Sequence, residues 1–555
     1  MAARLSTLVV LFSSAIFSLA AEQSAASSHG VEPAFLSRVQ GRETVELRTL
    51  PTHDSGRLKP LDTLARETLL FITGSRKPFG TDALSFFVGL MTEPEAGRLE
   101  IVEVRNVELR KKLNFDSSRR HFSTDELQQS ALVGDAGPLI EKQQKNSKSL
   151  NEEENSVLEV YQQLMMAQAV VSGQVFLSGI DFSSLQSVGD GGGHAQLSPQ
   201  LLEKAKAVVG SLSSGRIDGE AVRALDQMVR SQPVPEIFRP HLDKMGTEVL
   251  LYRSSIFWIA AIFYILSALM LWRAGQSRTL RLLSQVALGL ALFAHLGGFA
   301  VRVYITGFAP VTNMYGTMLW VSFGVALFAG ILHRFYKRDG LVAILFASAG
   351  LVLIIADSFP LILNPGLEPV VAVLRSNLWL TIHVLTITIS YAALGITMLL
   401  GNYGMLKLAF GQLSDLELKD LAHHSYRMIQ LGVFLLTVGI VLGGVWADYS
   451  WGRFWGWDPK ETWALIADLG YLAILHARIV GWMTPLGMLV AGPLAYLLVV
   501  MAWYGVNFVL AAGLHSYGFS KGGAMWVGLF VLAQLSLIGV VAFRHWLRQR
   551  SDSAS

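Results

Sequence analysis

From Trp446 to Glu461 the chain reads WADYSWGRFWGWDPKE, a stretch with Trp446, Trp451, Trp455 and Trp457 on a glycine-containing backbone that closes on Asp458-Pro-Lys-Glu461. Indole rings offer broad faces for stacking at small conformational cost. Each also carries an N–H that needs a polar partner, which suits the boundary between water and lipid. The chemistry these residue types support is the holding of a large flat ligand at a membrane surface. An ordinary interfacial aromatic belt is the alternative, but a belt requires neither fixed spacing nor an Asp-Pro-x-Glu ending.

The elements that position this stretch follow from composition. At 555 residues, 52% hydrophobic and 16% charged, the chain belongs in a bilayer. Its net charge of +3 comes from basic residues in short loops beside apolar runs, a pattern that marks topology and not nucleic-acid binding. Cysteine is absent, which excludes disulfides, thiolate metal ligands and thiol chemistry carried by this chain. Residues 1–21, with Arg4 ahead of an apolar run from Leu8 to Leu19, read as a secretory signal peptide or an uncleaved anchor.

Residues 22–250 are polar and helix-rich and are expected to form an extracytoplasmic soluble domain. Within it, Lys142 to Asn155 reads as a solvated linker and Gly189 to Gly193 as a flexible loop. Ser198-Pro199 opens a helix over Gln200 to Gly210. From residue 251 the fold class is mainly α: a polytopic transmembrane helical bundle. Nine spans are expected, near 254–272, 282–301, 317–333, 341–356, 378–400, 429–447, 462–480, 486–505 and 525–543, with a cytoplasmic tail over 546–555. If the soluble domain lies outside, the inner loops hold thirteen Lys and Arg residues against five in the outer loops, which supports that orientation. The localisation expected is the bacterial inner membrane.

That topology brings His383, the Trp-rich loop and His515 to one outer membrane face. His476 falls in the inner half of the seventh span, where an ionisable side chain is costly without a partner. His295, in the second span, is a weaker ligand candidate and the in-chain fallback beside His476; the alternative, with Arg302 and Tyr304 following it, is a bond to the adjoining loop. His423 and His424 read as part of a solvated cytoplasmic loop, and His333 and His545 as surface residues at inner helix ends.

The spacing WGxxWxWDxxE, carried here by Trp451, Gly452, Trp455, Trp457, Asp458 and Glu461, resembles the WWD signature of haem-handling proteins in cytochrome c maturation. Together with His383, His476 and His515, it makes residues 251–545 resemble the CcsA family, also called ResC, of system II cytochrome c biogenesis. The loop from Arg302 to Tyr315 is similar to that family's segment before the third helix.

The resemblance implies a cytochrome c maturation subunit that binds haem b as a transported ligand and presents it for thioether attachment to the CxxCH segment of apocytochrome c. It would form part of a cytochrome c synthase with a CcsB (ResB) membrane partner. His383 and His515 would be external axial ligands of the haem iron, and His476 would belong to a haem site within the membrane. Trp446, Trp451, Trp455 and Trp457 would hold the porphyrin and Asp458 and Glu461, at the same cofactor site, would fix the loop through hydrogen bonds, with Arg453, Lys460 and Lys521 available to the propionates.

Three rivals stand beside this expectation. A WWD protein of the other maturation pathway would co-purify with a haem chaperone. A b-type electron-transfer subunit needs a spaced histidine pair on one span, which no span carries. A transporter needs paired interrupted spans or internal repeats. The segment Thr52-His-Asp-Ser-Gly-Arg-Leu-Lys-Pro-Leu-Asp-Thr63 is similar to extracytoplasmic segments preceding CcsA domains in fused members of the family.

Overall fold

The computed structural model describes residues 45–93, 95–145, 150–186, 198–213, 218–336, 338–367, 377–510 and 523–554. The signal or anchor over 1–21, the Gly189–Gly193 loop, His194, Lys521 and His515 lie outside the described residues. The chain divides into two compact units, Met1–Arg253 and Ser254–Ser555.

The first unit is helical around a core that includes Phe86, Phe87, Phe122, Phe176 and Phe182. Two two-stranded antiparallel sheets accompany the helices. The first is a hairpin of β1 (Pro51–Asp54) and β2 (Arg57–Pro60), so the Thr52–Thr63 segment is a hairpin that runs into the helix Leu61–Thr73. Ser55 and Gly56, both at positive φ, make its two-residue turn. Arg57 reaches from it to Glu248 on the helix Met245–Ser254, with two hydrogen bonds of 2.8 and 2.9 Å. Burial opposes the charge on Arg57, but Glu248 more than offsets it and raises the guanidinium pKa. Removing one partner of such a buried pair strands the other, at roughly 3–5 kcal/mol.

The expected linker over 142–155 is shorter than the sequence suggests. Lys142 and Lys145 end the helix Leu132–Lys145, and Asn151 caps the helix Glu152–Val171. Lys142 pairs with Glu154 at 2.7 Å, and Glu154 also closes the Asn151 capping box, so the charges of this stretch are spent on helix ends. Ser198 accepts from the amide of Leu201 as the cap expected for the helix Pro199–Ser213.

Among its described residues the second unit holds nine long helices where nine spans are expected: α1 (Ile256–Arg273), α2 (Arg278–Thr306), α3 (Met314–Tyr336), α4 (Asp339–Ser358), α5 (Asn377–Ala409), α6 (Asp415–Trp451), α7 (Pro459–Ile479), α8 (Pro485–Val500) and α9 (Ala524–Ala554). Eight are apolar enough by length and composition alone to cross a membrane, and the protein is a multi-pass integral membrane protein. The helix outside that count is α7. Its 21 residues are long enough, at about 31 Å, to span the hydrocarbon core. Lys460, Glu461, Asp468, His476 and Arg478 lower its apolarity. A π-helical segment, Met501–Leu510, continues α8.

The antiparallel pair α5 and α6 forms the centre of the unit. Three glycines of α6 let the pair approach. A Cβ on Gly432 would collide with Leu394, one on Gly439 would lie 2.9 Å from the Ile387 backbone, and one on Gly443 would lie 2.7 Å from the His383 ring. The same pairing continues to the opposite end, where Lys407 meets Glu417 at 2.5 Å. His423 and His424 are therefore not in a loop. They lie in the first turns of α6, where His424 is buried and its Nδ1 bonds to the Asp420 carbonyl at 2.7 Å.

Candidate functional site

The site is built where the first turns of α5 meet the last turns of α6. His383 Nδ1 lies 2.8 Å from the Gly439 carbonyl oxygen, which can only accept, so Nδ1 carries the proton and the lone pair of the neutral ring sits on Nε2. The ring is parallel to that of Trp446, at 6.1 Å between centroids and 7° between planes. On its other flank it occupies the space that Gly443 leaves by having no side chain. Imidazole orientation and tautomer are thus fixed by the backbone of the neighbouring helix, an arrangement that suits a metal-binding nitrogen.

Helix α6 ends at Gly452, which takes the left-handed conformation and donates its amide to Asp448. Helix α7 begins at Asp458. Between them the chain makes a tight connection fixed by carboxylates. Asp458 is 5% exposed and accepts from the amide of Lys460 at 2.9 Å. Glu461 accepts from the amides of Gly456 and Asp458 at 2.9 and 3.1 Å and completes a capping box. Both acids, expected at the haem site as the residues that fix the loop through hydrogen bonds, are engaged with backbone amides, because a helix start leaves N–H groups that need acceptors.

The tryptophans do not form one platform. Trp446 is 1% exposed and packs edge-to-face on Trp451, with centroids 4.8 Å apart. It is a wall behind His383, buried between the helices. Trp455 and Trp457 form a second, perpendicular pair at 5.8 Å, and Trp457 is 71% exposed. Trp457 also holds φ at +55°, a conformation that costs a residue with a Cβ roughly 1–2 kcal/mol. Backbone strain of this kind collects where function constrains the chain. Arg453 lies over Trp451 and within 3.7 Å of Glu461. Lys460 extends to Asn507 of the π-helical segment, at 3.3 Å, so the start of α7 is tied to the element that precedes His515 in sequence.

The remaining histidines separate clearly. His476 is exposed on α7, with Nδ1 2.8 Å from the Leu472 carbonyl. Exposed Ala473 and Leu469 lie one and two turns earlier on its face. It stands at the end of α7 opposite the Trp-rich connection, and no structure brings it to His383. His295 does not bond to the adjoining loop. It is fully buried, 3.2 Å from the Tyr264 hydroxyl, and packed by Phe257, Phe299 and Phe323. His333 bonds to Asp339 at 2.9 Å.

Sequence reasoning missed Gly439 and Gly443, which seat His383; their four-residue spacing within an apolar run was the available signal. It also missed Asn507 and the buried Asp468, whose carboxylate accepts from Thr437 at 2.9 Å. Neither has a motif around it.

Comparison with known proteins matches residues 311–515 to the cytochrome C assembly protein family. Over 502 residues the chain is 28% identical to protein NrfI of Wolinella succinogenes, an alignment covering 83% of this chain and 53% of that protein. The chain therefore spans about half the length of NrfI. It is 35% identical over 304 residues to the cytochrome c biogenesis protein CcsA of Synechococcus sp. (strain CC9311), covering 47% of this chain and 96% of that protein. With CcsA of Prochlorococcus marinus (strain NATL2A) it shares 35% identity over 255 residues, 39% of this chain and 79% of that protein. Those alignments reach across most of each shorter relative, and the chain belongs to the CcsA family of cytochrome c biogenesis proteins.

Proposed function

We propose that this chain receives haem within the membrane and presents it at the end of the bundle that carries the Trp-rich connection, for covalent attachment to apocytochrome c. The observation that supports this reading best is the seat of His383: a ring locked by the Gly439 carbonyl and the Gly443 gap, with Nε2 as its metal-binding atom, beside the Trp-rich connection. His383 supplies one axial nitrogen and His515 the other. Trp451, Trp455 and Trp457 contact the porphyrin, while Trp446 backs His383, and Asp458 and Glu461 hold the connection in shape.

Each attachment adds a cysteine S–H of the CxxCH segment across a haem vinyl group. One S–C bond forms and the thiol hydrogen passes to the other vinyl carbon, so the addition itself is redox-neutral. This chain's part is to hold the iron and orient the ring, which removes rotational freedom before the thiols arrive. No side chain of this protein needs to supply a sulfur or a nucleophile. The histidine of CxxCH then displaces His383 or His515 and releases the product.

His476 marks the supply side. An exposed imidazole on an otherwise apolar face of a spanning helix is costly unless another polypeptide covers it, and a CcsB-type subunit is the partner proposed to supply the opposing ligand. The Trp-rich connection faces outward from a bacterial inner membrane in this reading.

The test is an absorption spectrum of the purified chain with its co-purifying partner, with and without reductant. A six-coordinate low-spin b-type spectrum is expected. Replacing both His383 and His515 by Ala removes the outer-site share, and an unchanged spectrum from a stably inserted double variant would falsify the ligand assignment. His476→Ala lowers total haem, with partial recovery on adding imidazole.

A further inference from the structure

At the outer end of α2 the chain buries a guanidinium for which the site above has no use. Arg302 is 4% exposed. Its Nη1 donates to the Pro365 carbonyl at 3.2 Å, and its guanidinium carbon lies 5.4 Å from the centre of the Tyr315 ring. Its Nε has no hydrogen-bond partner among the described residues. A carbonyl and an aromatic face are weak compensation for a fixed positive charge removed from water. Such a charge calls for an anion, and the planar fork of Arg fits a planar carboxylate as well as a phosphate.

A cavity adjoins the group. Arg302, Thr306, Pro310, Thr312 and Leu367 line it, and it has about 10 Å³ of free space, room for one oxygen-sized group such as a single oxygen of an anion.

The cavity is at the same end of the bundle as His383. Pro365 belongs to the connection between α4 and α5, upstream of the turns that carry His383. Phe299, one turn before Arg302, packs on Trp320 at 5.4 Å between centroids. Trp320 donates to the Leu385 carbonyl of α5 at 3.1 Å, two residues beyond His383.

We propose that the Arg302 cavity receives one carboxylate, a propionate of the haem presented at His383. This rests on the reading of the chain as a haem-presenting protein and adds to it a residue that recognises one edge of the ring. Arg302 would set which way round the porphyrin sits, and hence which vinyl group meets which thiol.

The experiment compares retention of haem and of haem dimethyl ester, whose propionates are capped, by the full chain purified with its partner. Wild type is expected to favour haem roughly ten- to a hundredfold, the worth of a hydrogen bond to a charged group. Arg302→Gln removes that preference, and Arg302→Lys keeps part of it. The ratio is read within each variant, so a general loss of folded protein does not imitate the effect.

An Arg302→Gln variant that still prefers haem as wild type does would overturn the proposal. If wild type binds haem and its ester equally, this inference alone falls. If wild type binds neither, the haem-presenting function falls with it.

Discussion

Trp457 shows how a single residue reports a functional constraint. It combines a positive φ, which favours glycine, with a ring that is 71% exposed and buries little on folding. Neither feature stabilises the fold, so the indole is explained by what it contacts outside the chain. Trp457→Gly is expected to stabilise the connection by about 1 kcal/mol through relief of the backbone. The same change should reduce outer-site haem and covalent cytochrome product. Thermal unfolding and a stain for covalent haem read the two effects separately; a fall in stability with full product formation would mean that the ring serves packing. Asp458 and Glu461 stand on the opposite footing. Their carboxylates satisfy helix-start amides, so Glu461→Gln, which keeps an acceptor, is expected to be milder than Glu461→Ala, and stability should change alongside haem content.

The pairing of α5 with α6 carries the same logic to the level of elements. His383 is positioned by what α6 lacks as much as by what it has: Gly443 has no side chain where the imidazole lies, and Gly439 lets its carbonyl come within 2.8 Å of Nδ1. Gly443→Ala places a methyl group in the volume of the ring. The expected result is a chain that inserts and folds, because the strain is local, but loses outer-site haem to nearly the extent that His383→Ala does. Electron paramagnetic resonance of the oxidised protein checks it through the axial-ligand signature, and an unaltered low-spin signal in Gly443→Ala would show that the glycine does not seat the ligand. The start of α7 answers to a different constraint. Lys460 bridges to Asn507, which ties the first turn of α7 to the π-helical segment.

Across the whole molecule, the positions of α5, α6 and α7 put the Trp-rich connection and the α5–α6 connection at opposite ends of the second unit. The proposed function needs the first of these outside. An alkaline phosphatase fusion after Gly456 is therefore expected to be active and one after Gln412 inactive, and the reverse result would invert the orientation and rule out attachment to an exported cytochrome. The sequence alone determined the membrane class, the nine long helices and the Trp-rich signature, because apolar runs and repeated indoles are local properties that one strand of residues displays. It determined that His383 and the Trp-rich stretch share an end, because the number of crossings between them fixes this. Only the tertiary structure decided which tryptophans face outward, which backbone amides Asp458 and Glu461 serve, that His295 and His424 are core residues, and that Arg302 is buried without a carboxylate among the described residues. Each of these depends on which side of a helix meets a neighbour, and helix contacts in a bilayer are set by close packing of small residues, which leaves no hydropathy pattern to read.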